Sequence, residues 1–253
     1  MTTPRGPGVG LAGPNPETPM LIGILQTGHA PDALRPLHGD YPDLFERLLA
    51  GRDLTFRTWA VVDGEFPDGP GDAEGWLITG SRHGAYDGLP WIARLEGLIR
   101  EIVAARVPRV PLVGVCFGHQ IIAQALGGRV EKFPGGWTVG RTEYDFDGET
   151  VALNAWHQDQ VVERPEGARV AATSPFCAIA ALVYGDGERP FAFTVQAHPE
   201  FSRPFIADMI ERRGRGIVPD PLLDAASART SQEIDAAAMA DRIARFFHER
   251  VAA

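Results

Sequence analysis

The chain has 253 residues, 44% hydrophobic and 23% charged, which is typical of a globular protein with room for one well-buried domain. Its formal net charge of −9 argues against a nucleic-acid partner, and no run approaches the roughly 20 apolar residues that span a bilayer. The two cysteines, Cys116 and Cys177, are too few for a disulfide scaffold and indicate a reducing compartment. We therefore expect a cytoplasmic protein with no membrane partner. No Cys and His pattern has metal-ligand spacing, so we expect neither a metal nor another cofactor.

The N-terminal half alternates between short apolar runs and amphipathic stretches. Residues 1–19 contain five prolines and no apolar run, which predicts a flexible extension rather than a secretory signal. A strand is expected at 20–25, a helix at 43–49, and further strands at 54–62 and 75–80.

The segment after residue 89 repeats this alternation. Pro90 opens a predicted helix that continues to Arg106, with a buried apolar stripe at helical spacing. A strand is expected at 110–116, followed directly by a short helix that Gly127-Gly128 terminates.

The C-terminal half is richer in strands. Short β-like runs fill 138–196, and Ser202 is the expected N-cap of a helix at 205–213. Thr230 and Glu233 form a predicted capping box for a last helix.

This order of elements predicts an α/β fold for one domain over 20–253, including the C-terminal helix. We expect an open, largely parallel but mixed sheet with helices on both faces and an antiparallel edge. In such sheets ligands bind beyond the carboxyl ends of the strands, so residues at those ends are the first candidates for a site.

The pentapeptide Gly114-Val115-Cys116-Phe117-Gly118 lies where a predicted buried strand turns into a helix. Such a G-x-C-x-G elbow raises the nucleophile above the sheet and places it at a helix N-terminus, which favours a thiolate. The alternative is that Cys116 is a small residue of the core, as most free cysteines are. Cys177 has no glycine frame, and we expect it to be a core residue.

A second pattern, Gln196-Ala197-His198-Pro199-Glu200, follows another strand-like run. Pro199 favours an extended His198, and residues two apart in extended chain point the same way, so Glu200 can hold the imidazole. His198 is then the expected base for Cys116. A lone histidine at a strand end is otherwise a surface or capping residue. The backbone amide of Phe117 is an expected oxyanion donor, and Gly80 is a second one after the strand at 75–80.

Together these motifs resemble the class I glutamine amidotransferase superfamily over most of residues 20–213. GVCFGHQIIAQALGG and VQAHPE are similar to the family's nucleophile and His-x-Glu signatures, and LITGS resembles its oxyanion loop. The resemblance implies a flavodoxin-like fold and a small-molecule substrate, with Gly80 as an oxyanion donor. It also implies that Gln120 helps to hold bound glutamine and that Gln158 and Asp159, in AWHQDQV, contact its amino-acid end.

Within the superfamily the chain resembles the γ-glutamyl peptidase branch, with His157-Gln158-Asp159 matching that branch's HQD motif. GMP synthase amidotransferase domains are more distant, because Thr79-Gly80-Ser81-Arg82 stands where they carry Gly-Gly-Pro. The resemblance implies cysteine-dependent hydrolysis of the γ-glutamyl amide bond through a thioester. Since the chain has no phosphate-binding G-x-x-x-x-G-K-[ST] loop, a glutaminase subunit feeding ammonia to a separate synthetase is an alternative. A non-catalytic binding module is another. The oligomeric state stays open.

Overall fold

The computed structural model describes residues 19–105, 110–185 and 190–249, and within them helices and strands alternate as expected. The predicted extension before residue 19 and the last residue of the helix predicted at 90–106 lie outside the described residues. The strands are β1 (Met20–Leu25), β2 (Leu54–Trp59), β3 (Gly75–Ile78), β4 (Leu112–Val115), β5 (Arg129–Lys132), β6 (Thr138–Phe146), β7 (Glu149–His157), β8 (Asp159–Glu163), β9 (Ala168–Thr173), β10 (Ala181–Tyr184) and β11 (Ala192–Val195). The α-helices are α1 (Arg35–His38), α2 (Tyr41–Leu48), α3 (Pro90–Ala104), α4 (Phe117–Ala125), α5 (Arg203–Met209), α6 (Asp220–Ser227) and α7 (Ala236–His248).

Nine of these strands form one mixed sheet in the order β2-β1-β3-β4-β11-β10-β9-β6-β7. The strands from β2 to β11 pair in parallel, and the strands from β11 to β7 pair antiparallel. The predicted mixed α/β sheet is therefore confirmed. Strands β5 and β8 form a separate two-stranded antiparallel sheet. Because β1, β3, β4 and β11 lie side by side in parallel, their carboxyl ends meet at one edge, where ligands bind in such sheets.

Helices cover both faces of the parallel part of the sheet. On one face, residues of α2 and α7 share a buried cluster with β1 and β4, including Phe45, Ile243 and Phe247. On the other face, α3 and α4 pack against the opposite side chains of the same strands, such as Trp76 and Leu112. The alternation of side chains along each strand divides the core in this way, since successive residues point to opposite faces.

Most boundaries agree with the sequence to within a few residues, but some expectations were wrong. The strand expected at 54–62 ends at Trp59, and a 3₁₀ turn follows at Val61–Asp63. The expected N-cap is confirmed, since the Ser202 hydroxyl accepts a hydrogen bond from the Phe205 N–H. The Thr230 capping box is wrong, because α7 begins after Asp235 and has no side-chain cap.

The sequence also left three elements unpredicted. Helices α1 and α6, four and eight residues long, are too short to show a clear apolar period. The β5–β8 pairing joins strands more than twenty-five residues apart, and no local pattern marks such a pairing. Among the described residues, none of the helices combines the length and the apolar character that a bilayer crossing requires.

Candidate active site

Cys116 sits at the sharp turn between β4 and α4. Its backbone is at φ 53° and ψ −103°, a conformation that costs most residues with a side chain about 1–3 kcal/mol. The flanking glycines make the turn sterically feasible. A Cβ on Gly114 would lie 2.5 Å from the Gly118 carbonyl oxygen, and a Cβ on Gly118 would lie 2.3 Å from the Ile78 carbonyl oxygen. Any larger residue would push the helix off the strands, so this stretch has the expected elbow geometry.

His198 lies just beyond the end of β11 and pairs across to β7. Its backbone N–H donates to the Asn154 carbonyl at 2.8 Å, which fixes the segment next to the sheet. Its Nδ1 contacts the Glu200 carboxylate at 2.6 Å, and both side chains are almost fully buried. The Phe201 ring stacks on the imidazole with centroids 3.9 Å apart and planes 6° apart. The imidazole is therefore held both at its edge and on its face.

The Cys116 side chain lies beside the same imidazole, since both border Gly80 and the charge of Cys116 acts on the ring. Because Nδ1 faces Glu200, Nε2 is the nitrogen left for the sulfur. Burial alone would lower the pKa of His198, but the charges of Glu200 and Cys116 outweigh burial and raise it to about 10. The sulfur of Cys116 and the His198–Glu200 pair, about eighty residues later in the chain, are thus brought together.

Gly80 completes this cluster from the neighbouring strand. A Cβ built on Gly80 would lie 3.0 Å from His198 Cε1 and 3.7 Å from Cys116 Cβ, so its backbone passes directly beside both side chains. The backbone N–H groups of Gly80 and Phe117 have no hydrogen-bond acceptor among the described residues. Both are available to a substrate oxygen.

The Gly80 loop is fastened to the end of β1 by two buried threonines. The Thr27 hydroxyl lies 2.9 Å from the Thr79 carbonyl and 3.0 Å from the Gly80 carbonyl, and the Thr27 N–H donates to Thr79 Oγ1 at 3.0 Å. Both threonines are fully buried. These contacts fix the Gly80 loop beside Cys116 and His198.

An open cavity of about 830 Å³ lies above Cys116. Gln120, Gln158 and Asp159, the other predicted site residues, all line it. The Gln120 amide donates to the Asp159 carbonyl at 2.8 Å and to Gln196 Oε1 at 3.1 Å, so both protons of the Gln120 amide are engaged within the protein. The Gln158 amide makes a long contact, 3.4 Å, to the Phe133 carbonyl. All eight predicted site residues therefore lie in or next to one cavity.

The cavity wall carries charges of both signs. Arg82, Lys132 and Arg213 line it, and none of these three forms an ion pair with a described carboxylate. Asp87 and Asp159 also line it, and Asp159 accepts a hydrogen bond from the Tyr86 hydroxyl at 3.0 Å. Burial raises the pKa of the Asp159 carboxyl. Such a wall suits a ligand that carries both an ammonium and a carboxylate group.

The other two histidines of the motifs are buried and neutral. Burial lowers the pKa of His119 to about 4 and the pKa of His157 to about 3. The His119 ring lies between Thr194 Oγ1 and the Ile179 carbonyl, and therefore joins α4 to the strands. Nδ1 of His157 contacts the Asp159 carbonyl, while its Nε2 has no partner in the described residues. Neither ring touches the sulfur through any described hydrogen bond.

Sequence reasoning missed the residues that hold this site in place. Thr27, Asn154 and Phe201 contact Gly80 or His198, yet each is an ordinary residue type in its own segment. The local sequence marked Thr27 and Phe201 as candidates only by their location, within a few residues of a strand end or motif. In the described part of the chain, no group of three or more His, Cys, Asp or Glu side chains is placed to hold a metal ion.

Comparison with known proteins agrees with this geometry. Residues 82–212 match the family described as glutamine amidotransferase class-I. The chain is 32% identical to "Gamma-glutamyl peptidase 4" of Arabidopsis thaliana over 69% of this chain and 73% of the relative. It is 35% identical to a subunit of the glutamine-hydrolyzing GMP synthase of Halobacterium salinarum over 64% of this chain and 85% of the relative.

The fold has counterparts among solved structures. A glutamine amidotransferase from Methylobacillus flagellatus superposes with a TM-score of 0.69, at 24% identity, covering 92% of this chain and 93% of that one. This likeness supports the fold, and the family match together with the Arabidopsis relative supports the assignment. The chain belongs to the class I glutamine amidotransferase family.

Proposed function

We propose that this protein hydrolyses the γ-glutamyl amide bond of γ-glutamyl compounds or glutamine, with Cys116 as nucleophile. The observation that supports the proposal is the placement of Cys116 beside His198, which Glu200 holds at 2.6 Å, with Cys116 lining an open cavity. An activated nucleophile needs a base within hydrogen-bond reach and a third group that orients the base.

In the first step the Cys116 thiolate attacks the γ-carbonyl carbon and forms a carbon–sulfur bond. The carbonyl electron pair moves to oxygen, and the N–H groups of Phe117 and Gly80 stabilise the resulting oxyanion, each by about 3 kcal/mol. His198 then gives its proton to the amide nitrogen as the carbon–nitrogen bond breaks. An amine leaves, and a γ-glutamyl thioester remains on Cys116.

In the second step water attacks the thioester carbonyl. His198 takes a proton from that water, the same N–H groups hold the second oxyanion, and the carbon–sulfur bond breaks to release glutamate and the thiolate. Glu200 stabilises the imidazolium at both stages without accepting the proton itself.

The size and charge of the cavity favour a substrate larger than glutamine. A volume of about 830 Å³ lies near the upper end of the range of about 300–1,000 Å³ in which pockets bury drug-sized ligands. Asp87 or Asp159 is available to an α-ammonium group, and Arg82 or Arg213 to a carboxylate. A relative named γ-glutamyl peptidase is consistent with an amino acid or peptide as the leaving amine.

The proposal is tested with the purified chain and no added protein. We expect release of free amino acid from γ-glutamyl dipeptides by the wild type and by Cys177→Ala, and none by Cys116→Ala. Modification by 6-diazo-5-oxonorleucine, followed by mass spectrometry, should show the same dependence on Cys116. A chain that cleaves neither glutamine nor γ-glutamyl peptides, and is not modified, would point to a binding module.

A second candidate is an ammonia-producing subunit for a separate synthetase. The 35% identical GMP synthase relative favours it, because that protein is itself named as one subunit of an enzyme. Inactivity toward γ-glutamyl peptides, with glutamine hydrolysis that appears only after a synthetase is added, would select this second candidate.

A further inference from the structure

A second cavity lies behind the proposed base, outside the site described above. Its volume is about 270 Å³, and it is lined by residues of β6, β7, α5 and the segment between α6 and α7. We propose that it binds a small oxyanion, such as a phosphate or a dicarboxylate, and that the bound anion acts on the segment that carries His198.

The charge of the lining points to an anion. Three arginines, Arg141, Arg203 and Arg229, line this small space, together with one acidic residue, Glu233. Such a concentration of positive charge is unexpected in a chain with a formal net charge of −9. Like charges placed together repel one another, so an anion between Arg203 and Arg229, which lack carboxylate partners among the described residues, relieves their repulsion.

The arginines have the capacity to bind a ligand. Among the described residues Arg203 and Arg229 form no ion pair, and Arg229 only donates to the Ala225 carbonyl at 3.2 Å. Arg141 is held in place by the Glu143 carboxylate at 2.9 Å and the Glu233 carbonyl at 2.9 Å. The planar guanidinium fork matches the paired oxygens of phosphate and carboxylate, which a single chloride ion cannot offer.

Asn154 connects this cavity to the proposed active site. Its side chain is almost fully buried and lines the cavity, and its amide donates to the Phe201 carbonyl at 2.8 Å. Its backbone carbonyl accepts the His198 N–H at 2.8 Å, and Phe201 stacks on the His198 ring. A ligand that contacts Asn154 therefore touches the residue that anchors both the backbone and the stacking partner of His198.

Isothermal titration calorimetry tests the binding, with inorganic phosphate and succinate as separate titrants in a buffer whose ionic strength is held constant with NaCl. We expect saturable binding of at least one titrant to the wild type, and the one that binds tells whether the natural ligand carries phosphate or carboxylate. The double variant Arg203→Ala/Arg229→Ala should weaken the affinity by about tenfold for each guanidinium removed. All replaced residues are exposed, so the fold is retained.

A matched control removes the same charge elsewhere. Arg129 and Arg169 are exposed and pair with carboxylates away from the cavity, so Arg129→Ala/Arg169→Ala should bind like the wild type. No saturable binding to the wild type, or equal affinity in both double variants, would overturn the site. An anion that binds only in the main cavity would also give equal affinity in both double variants, since Arg82 and Arg213 remain in both.

The connection to His198 has its own readout, independent of any substrate. The rate at which iodoacetamide alkylates Cys116, followed by mass spectrometry, depends on how the neighbouring His198 imidazole is placed. A saturating titrant should change this rate at least about twofold in the wild type and in the control variant, but not in Arg203→Ala/Arg229→Ala. An unchanged rate in a protein that binds the anion would overturn the connection.

Discussion

Cys116 has a side chain in a backbone conformation that glycine tolerates far better. The strain persists because the surrounding structure over-determines the turn. The Cys116 N–H donates to the Val195 carbonyl at 2.8 Å, and the Cys116 carbonyl accepts the Gln120 N–H at 3.1 Å, so the residue is fixed from β11 and from α4. The strained turn places the thiol beside His198. A variant that relieves the strain should therefore have a more stable fold.

This strain predicts an inverted order of stability at Cys116. Cys116→Gly should be more stable to urea than Cys116→Ala by about 1 kcal/mol, because glycine has no Cβ to strain at φ 53°. Cys177 is buried but has no positive φ, so there the glycine variant should be the less stable one, by about 0.4–1 kcal/mol. The same order at both cysteines would show that the turn at Cys116 is not strained.

The Glu200 carboxylate should control the protonation of His198. Burial lowers the pKa of His198 while Glu200 and Cys116 raise it, so Glu200→Gln should make His198 lose its proton at a lower pH. The folded pKa, about 10, lies above the ordinary 6.5, so the stabilisation from this imidazolium is complete below pH 6.5 and is lost as the pH rises toward 10. Histidine side-chain NMR over a pH titration measures the shift.

An exposed carboxylate provides the control for that titration. Glu166→Gln removes the same charge from a surface loop and should leave the His198 signal unchanged. A Glu200→Gln protein whose His198 titrates like the wild type would exclude Glu200 as the source of the raised pKa.

At the scale of elements, the proposed oxyanion hole depends on how the ends of β1 and β3 are joined. Thr27→Val keeps the shape of the side chain but removes the hydroxyl that bonds the buried Thr79 and Gly80 carbonyls, at a cost of about 1 kcal/mol. The loop should then shift relative to Cys116, and kcat should fall by about tenfold to a hundredfold. Steady-state kinetics and urea unfolding measure the two effects.

Thr142→Val is the comparison for this change. The Thr142 hydroxyl donates to the Gly140 carbonyl at 3.3 Å and makes no described contact with Gly80, so kcat should stay near the wild-type value. An equal loss of kcat in both threonine variants would mean that Thr27 has no specific role in positioning the loop.

At the scale of the whole molecule, α7 completes the core that supports β1. Phe247 is fully buried and belongs to the same cluster as Ile22 and Phe45, more than two hundred residues earlier in the chain. Phe247→Ala should lower the free energy of unfolding by about 3–5 kcal/mol, measured by urea denaturation. The neighbouring Phe246 is only partly buried, so Phe246→Ala should cost clearly less. Equal losses of stability would contradict the greater contribution expected from the fully buried Phe247.

Local sequence was a good guide wherever the decisive contacts are local. The elbow needed Gly114 and Gly118 within two residues of Cys116, and the His198–Glu200 contact needed a spacing of two, so both were predictable from short patterns. The expected capping box at Thr230 failed because its pattern also fits a turn, and the Thr230 hydroxyl donates to the Ser227 carbonyl instead. The roles of Gln158 and Asp159 toward a substrate stay predictions.

The sequence by itself determined the α/β alternation, the strained turn at Cys116 and the histidine–carboxylate pair, because each depends on neighbours a few residues away. Only the tertiary structure decided that Thr27 holds the Gly80 loop, that Asn154 anchors His198, and that three arginines from separate elements face one small cavity. The physical reason is the strand order. It places β1 beside β3 and β4 beside β11, and the chain folds β7 back against His198, which brings together residues that no local periodicity relates.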